Sequence, residues 1–233
     1  YNHVGCGSSD DWCNGASSGD GYCLMKVGDL VDHIIRRSEG SQRFIIAVAG
    51  PPGAGKSTLS KQLVQMLKTR SIQSCIISMD GFHLENSILK RLGLLDRKGS
   101  PTTFDVPAFI QVMKRLAAYE SDVAIPKFDR KKDTSIERAS IVSTQDKILI
   151  VDGNYLLLND EQWVELQDIW DETVFINPGM DVLEKRLIDR WLSYGMDNES
   201  AKNRAFGNDI PNAKNIIENS LPANILIGAV RQT

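Results

Sequence analysis

Gly50-Pro51-Pro52-Gly53-Ala54-Gly55-Lys56-Ser57-Thr58 satisfies the pattern G-x-x-x-x-G-K-[ST] in full. Just before it, Phe44 to Ala49 is a short apolar, β-rich run. Just after it, Leu59, Leu63, Met66 and Leu67 fall on one helical face of a segment from Lys56 to Lys68. A strand, a glycine-rich turn and a helix in that order make a cradle for an anion. Glycine lets the backbone turn so that successive N–H groups point inward, and the helix start adds partial positive charge. Gly50, Gly53, Ala54, Gly55, Lys56, Ser57 and Thr58 are therefore candidate ligands of a nucleoside triphosphate. Lys56 is placed for the β- and γ-phosphates, and Ser57 presents a hydroxyl to Mg²⁺. The cradle implies binding; by itself it names no reaction.

The alternation continues outward. Cys75 to Met79, Lys147 to Val151, Thr173 to Ile176 and Asn224 to Ile227 read as further strands. Helical patterns fall around Leu30 to Ile35, Pro107 to Leu116, Met180 to Leu192 and Glu199 to Glu218. Strands alternating with helices predict an α/β fold, a parallel sheet of five strands with helices on both faces. Residues 25–233 are expected to form this one domain with a small helical lid. Residues 1–24, rich in Gly, Ser, Asp and Cys, are expected to be an irregular tail, a leader or a cloning remnant. Cys6, Cys13 and Cys23 lack zinc-ligand spacing, and a disulfide among them stays open. Cys75 reads as a buried strand residue.

A net charge of −3 argues against a nucleic-acid binder. No apolar run approaches the roughly 18 residues that would span a bilayer. A cytoplasmic protein is expected; a homodimer is left open.

In open α/β sheets ligands sit beyond the carboxyl ends of the strands. Asp80, in Ser78-Met-Asp-Gly-Phe-His83, and Asp152, in Val151-Asp-Gly-Asn-Tyr-Leu156, stand at such ends. Transfer of a phosphoryl group to an alcohol needs one carboxylate at the acceptor hydroxyl and another at the metal. Asp80 is assigned the first role and Asp152 the second. Either residue also suits a turn or a helix cap.

These segments, with Arg97-Lys-Gly-Ser-Pro-Thr-Thr-Phe-Asp105, Pro126-Lys-Phe-Asp129-Arg130 and Asn208-Asp-Ile-Pro-Asn212-Ala213, resemble the uridine kinase, phosphoribulokinase and bacterial pantothenate kinase superfamily. The likeness is greatest to its uridine kinase-like branch, which is also labelled fructose transport system kinase-like. The resemblance implies a P-loop kinase fold, ATP and Mg²⁺ as cofactors, and Asp80 as general base. It places Asp105 at an acceptor hydroxyl, Phe128 and Asp129 against the acceptor, and Asn212 near the adenine edge. It puts Arg186 and Arg190, which share a helical face by spacing, on the lid helix beside the transferring phosphate. The sequence departs from the family in carrying Asp152 where Glu is usual. Lys131-Lys132-Asp133 replaces the His that reads a uracil base, which argues against uridine itself.

His83, three residues past Asp80, is a candidate to touch the acceptor or orient Asp80, and Phe82 a candidate pocket wall. Arg97 is a candidate acceptor contact, and Arg97-Lys98 with Arg130 suggests an acidic or phosphorylated acceptor. Trp163, Trp170 and Trp191 read as packing between helices and sheet. The expected activity is ATP-dependent phosphorylation of a hydroxyl on a small metabolite. A regulatory P-loop NTPase and a degenerate nucleotide-binding protein are the alternatives; no N-K-x-D guanine element supports the first.

Overall fold

The computed structural model describes Tyr22, Cys23 and residues 26–229. The strands are β1 (Tyr22–Cys23), β2 (Phe44–Ala49), β3 (Ser74–Ser78), β4 (Val123–Asp129), β5 (Thr134–Val142), β6 (Ile148–Gly153), β7 (Glu172–Asn177) and β8 (Ile225–Ala229). The helices are α1 (Val27–Arg37), α2 (Lys56–Thr69), α3 (Asn86–Arg91), α4 (Val106–Ala117), α5 (Met180–Ser193), α6 (Asn198–Arg204) and α7 (Ile210–Asn219).

The main sheet runs β1-β8-β7-β2-β6-β3, with the last five strands parallel and β1 antiparallel on the β8 edge. The five expected strands are this parallel core. β1 falls in the stretch expected to be irregular. Cys6, Cys13 and most of the proposed tail lie outside the described residues.

β2 is buried along its whole length because both faces of the sheet are covered. Ile45, Ala47 and Ala49 point into a core shared with α4 and the 155–166 segment. Phe44, Ile46 and Val48 point into a second core built with α1, α2 and α5. Cys75 is half-buried in β3 against the first core, and burial pushes its thiol up to about 12.

Two features escaped the sequence reading. Residues 199–218 form no single helix. α6 passes into a wide π turn at Ala205–Asp209 before α7 begins. Pro211, in the first turn of α7, has no N–H to bond backwards, and the wider turn takes up the mismatch. The other is the antiparallel hairpin β4–β5. Pro126 and a run of charges hid it, since proline is depleted in strands except at edges and bulges. The register shifts between Ile125 and Lys127, where Pro126 sits. The hairpin is docked on the Met79–Phe82 turn: the Ser135 hydroxyl donates to the Gly81 carbonyl. A Cβ on Gly81 would fall 2.6 Å from the Pro126 oxygen, so this approach requires glycine.

Candidate active site

The glycine-rich loop joins β2 to α2. Gly50 has φ 144°, and a Cβ there would lie 2.4 Å from the Ile176 carbonyl oxygen of the neighbouring strand. Gly55 precedes α2 at φ 104°. No side chain caps α2, which leaves its amino terminus to an anion. Lys56 is buried and donates to the Pro51 carbonyl at 2.8 Å. Burial lowers its ammonium to about 8, against the opposing pull of Asp80 and Asp152; Arg190 and Arg130 lower it further.

The strand ends bring the two acids to this loop. Ser78 and Asp152 are register partners across β3 and β6, and Val48 and Asp152 across β2 and β6. Asp80 follows β3 in the tight Met79–Phe82 turn. A cavity of about 650 Å³ opens above them, lined by Gly53, Gly55, Lys56, Ser57, Thr58, Asp80 and Asp152 among others. Asp152 is 4% exposed and makes no side-chain hydrogen bond or ion pair among the described residues.

Several expected contacts are in the cavity wall and others are not. His83 and Phe128 line it, with Phe104 beside them; the ring centroids of His83 lie 4.1 Å from Phe104 and 4.8 Å from Phe128. The His83 Nδ1 is 2.8 Å from the Asp80 carbonyl oxygen, and burial pushes the imidazole pKa down. Asn212 and Arg190 also line the cavity. Phe82, Arg97, Asp105, Asp129 and Arg186 do not. Phe82 packs into the core against Phe109, with ring centroids 4.9 Å apart. Arg97 is exposed, and its neighbour Lys98 turns inward instead. The Asp105 carboxylate accepts from the Ala108 N–H at 3.0 Å and caps α4. Asp129 accepts from the N–H groups of Lys131 and Lys132, closing the hairpin turn.

Arg186 crosses the back of the loop, donating to the carbonyls of Gly53 at 3.0 Å and Ala54 at 3.3 Å. It lines a second hollow of about 440 Å³ with Val27, Leu30, Thr58, Gln62 and Ile227. Gly53, Gly55 and Thr58 border both hollows.

The structure gives individual partners to cations that the sequence offered only as a basic cluster, and it adds Trp191 and Asp209 to the site. Arg130, at the hairpin tip, donates to the Asp80 carboxylate at 3.0 Å. Lys98 reaches Asn86 Oδ1 at 2.7 Å and Asp133 Oδ2 at 2.9 Å. Trp191, expected to pack between helices and sheet, stands in the cavity wall. Its indole N–H donates to Asp209 at 2.6 Å, and the guanidinium groups of Arg190 and Arg204 lie 5.3 and 5.2 Å from its ring. The π turn at 205–209 buries Asp209 here, whereas Trp163 keeps its expected place in the core.

This arrangement can hold a triphosphate and set a carboxylate beside it. The phosphoribulokinase/uridine kinase family model matches residues 45–232. The chain belongs to that family. Its members are P-loop kinases, phosphotransferases acting on a hydroxyl of a small molecule. The chain is 35% identical over 190 residues to the uncharacterized protein YggC of Escherichia coli (strain K12), covering 80% of this chain and 78% of that one. It is 31% identical to the pantothenate kinase of Enterococcus faecalis (strain ATCC 700802 / V583), over 64% of this chain and 49% of that enzyme. A crystal structure provisionally described as a fructose transport system kinase, from Silicibacter sp. TM1040, superposes with TM-score 0.83 at 38% identity. That match covers 87% of this chain and 99% of the other. Among the described residues no helix is long and apolar enough to cross a membrane.

Proposed function

We propose that this kinase is cytoplasmic and transfers the γ-phosphate of ATP to a hydroxyl of a small metabolite, with Asp80 as general base. One observation carries the reading: the loop lysine and the carboxylates of Asp80 and Asp152 converge on a single cavity. The triphosphate lies along the loop, against the amino terminus of α2 and Lys56. The nucleobase takes the second hollow, where apolar Val27, Leu30 and Ile227 pack against it and Arg186 offers its guanidinium face. Asn212, in the wall of the larger cavity, then lies on the phosphate and acceptor side rather than at the base.

Among the described residues no group of three or more His, Cys, Asp or Glu is arranged for a metal. The donor set suits Mg²⁺, which takes one or two protein oxygens and fills its octahedron with phosphate and water. Ser57 and Asp152 would hold it, and when bound it supplies charge neutralisation at the β- and γ-phosphates. Asp80 accepts a hydrogen bond from the acceptor hydroxyl, aims its oxygen at the γ-phosphorus and takes its proton as the new P–O bond forms. Lys56 and Arg190 hold the phosphoryl oxygens as charge moves toward the leaving ADP. Arg130 fixes the carboxylate of Asp80 through one oxygen and leaves the other for the hydroxyl.

The test is ADP release from Mg-ATP against a panel of hydroxylated metabolites, in wild type and Asp80→Asn. One acceptor should raise turnover in wild type, and the variant should lose about 10²- to 10⁴-fold of that rise. An acceptor-dependent rate that is the same in both proteins would remove Asp80 from the mechanism.

A further inference from the structure

Two arginines of the cavity wall meet at one indole ring. Trp191, half-buried in α5, donates its N–H to Asp209 Oδ2 at 2.6 Å. The Arg190 Cζ lies 5.3 Å from the Trp191 ring and 6.0 Å from the Tyr194 ring, and the Arg204 Cζ lies 5.2 Å from the Trp191 ring. All five side chains line the larger cavity. Among the described residues the Arg190 guanidinium makes no hydrogen bond and no ion pair, and its Nε is buried without a partner. Arg204 makes one hydrogen bond, to the Asp96 carbonyl at 2.6 Å, and has no carboxylate partner among the described residues. Asp209 is 8% exposed and sits in the π turn, and its carboxylate accepts from the indole rather than from either arginine.

A cation meant for a phosphate has to be held in place and yet left uncommitted. A carboxylate against the guanidinium would hold it firmly, but it would occupy the N–H fork and cancel the charge. An aromatic face attracts the cation through its π electrons and leaves the fork to an anion. Here the carboxylate is set one step back. By accepting from the indole N–H, Asp209 fixes the plane of the ring. In a site of low dielectric that hydrogen bond also polarises the ring toward a more negative face. The π turn is what brings Asp209 inward to do this, and wide turns of this kind recur at functional sites.

We infer that Trp191, tethered by Asp209, is a positioning residue: its ring keeps the guanidinium groups of Arg190 and Arg204 in the cavity, charged and unpaired, for the γ-phosphate. The γ-phosphate is there because the triphosphate lies along the loop, the kinase reading on which this step rests.

Preference for a γ-phosphate tests this without any acceptor. It is read as the ratio of calorimetric affinities of the full chain for the Mg²⁺ complexes of the β,γ-imido analogue of ATP and of ADP. Wild type should prefer the analogue. Trp191→Leu should lower that preference about tenfold, and Trp191→Phe, which keeps a ring but loses its tether, about threefold. In a chain already carrying Arg190→Gln and Arg204→Gln, Trp191→Leu should move the ratio by less than about twofold, since nothing is left for the ring to position. Ring-fluorinated tryptophan, incorporated in place of tryptophan throughout, keeps the shape and weakens the pull on a cation, so it carries the test even where Trp191→Leu does not fold. It should lower the ratio about twofold, and Trp191→Phe should abolish that response. No preference in wild type, a ratio that Trp191→Leu leaves unmoved, a loss as large without the two arginines, or a fluorine response that is absent or survives Trp191→Phe overturns the inference. The expected ratios in a chain that releases no ADP with any hydroxylated acceptor would uphold the inference and sink the kinase reading instead.

Discussion

The loop side and the hairpin side of one cavity solve opposite problems. Lys56 is buried beside a glycine-rich turn, a backbone carbonyl is its one hydrogen-bond partner among the described residues, and its pKa falls to about 8. Arg130 is largely exposed yet tied to Asp80. A buried cation without a counter-ion is costly until an anion arrives, so the loop side is a site built for charge supplied from outside. A cation paired in advance contributes little field to a ligand and much to the position of its partner. Binding energy and orientation thus come from different places: phosphate charge on one side, a fixed carboxylate and an aromatic wall on the other.

The comparison breaks most sharply at Lys56. Lys56→Met should lower kcat by about 10²- to 10³-fold, because it removes a preorganised positive group from the charge that develops on the phosphates. Steady-state assays with the preferred acceptor check this; a variant within a few-fold of wild type would show that the loop side does not depend on its lysine.

Arg130→Gln should act more gently and elsewhere. Losing one charge-assisted hydrogen bond that orients Asp80 should cost about tenfold in kcat/KM for the acceptor, while the KM for ATP stays within about twofold. Separate saturation curves for the two substrates decide it. An equal loss for both would place Arg130 on the phosphates and erase the distinction between the two sides.

The smallest effect is in pH. Lys56 is charged below its lowered value of about 8 and neutral above it, so ADP affinity should be level on the acid side and weaken as pH rises through that value. Binding should be about fourfold weaker at about pH 8.5 than at about pH 7. Titration calorimetry checks it, and Lys56→Met should flatten the profile. In the chain without nucleotide the sign for stability is the reverse. Between about 8 and the ordinary lysine range of 10.5 the unfolded chain binds the extra proton, so stability rises with pH there.

The cradle, the alternation of strands and helices, and the two acids at strand ends are legible from residue order alone. All three are local: a loop of fixed residue types, periodicities of 2 and 3.6, and the position of an acid just past an apolar run. Which polar side chains meet is set by how the elements dock. Arg97 and Lys98 are adjacent in the chain, yet a short 3₁₀ turn sends one to solvent and the other into the cavity. Asp105 and Asp129 sit in motifs of the right kind, yet their carboxylates close backbone turns a few residues away. Arg130 and Asp80 are 50 residues apart and meet because a hairpin, masked by Pro126 and its charges, docks on Gly81 where no Cβ stands in the way. The Asp209 carboxylate reaches Trp191 across a π turn that no regular period announces. Backbone pattern is written in neighbours along the chain, whereas charge pairing depends on side-chain direction and long-range docking, and these exist only once the chain has folded.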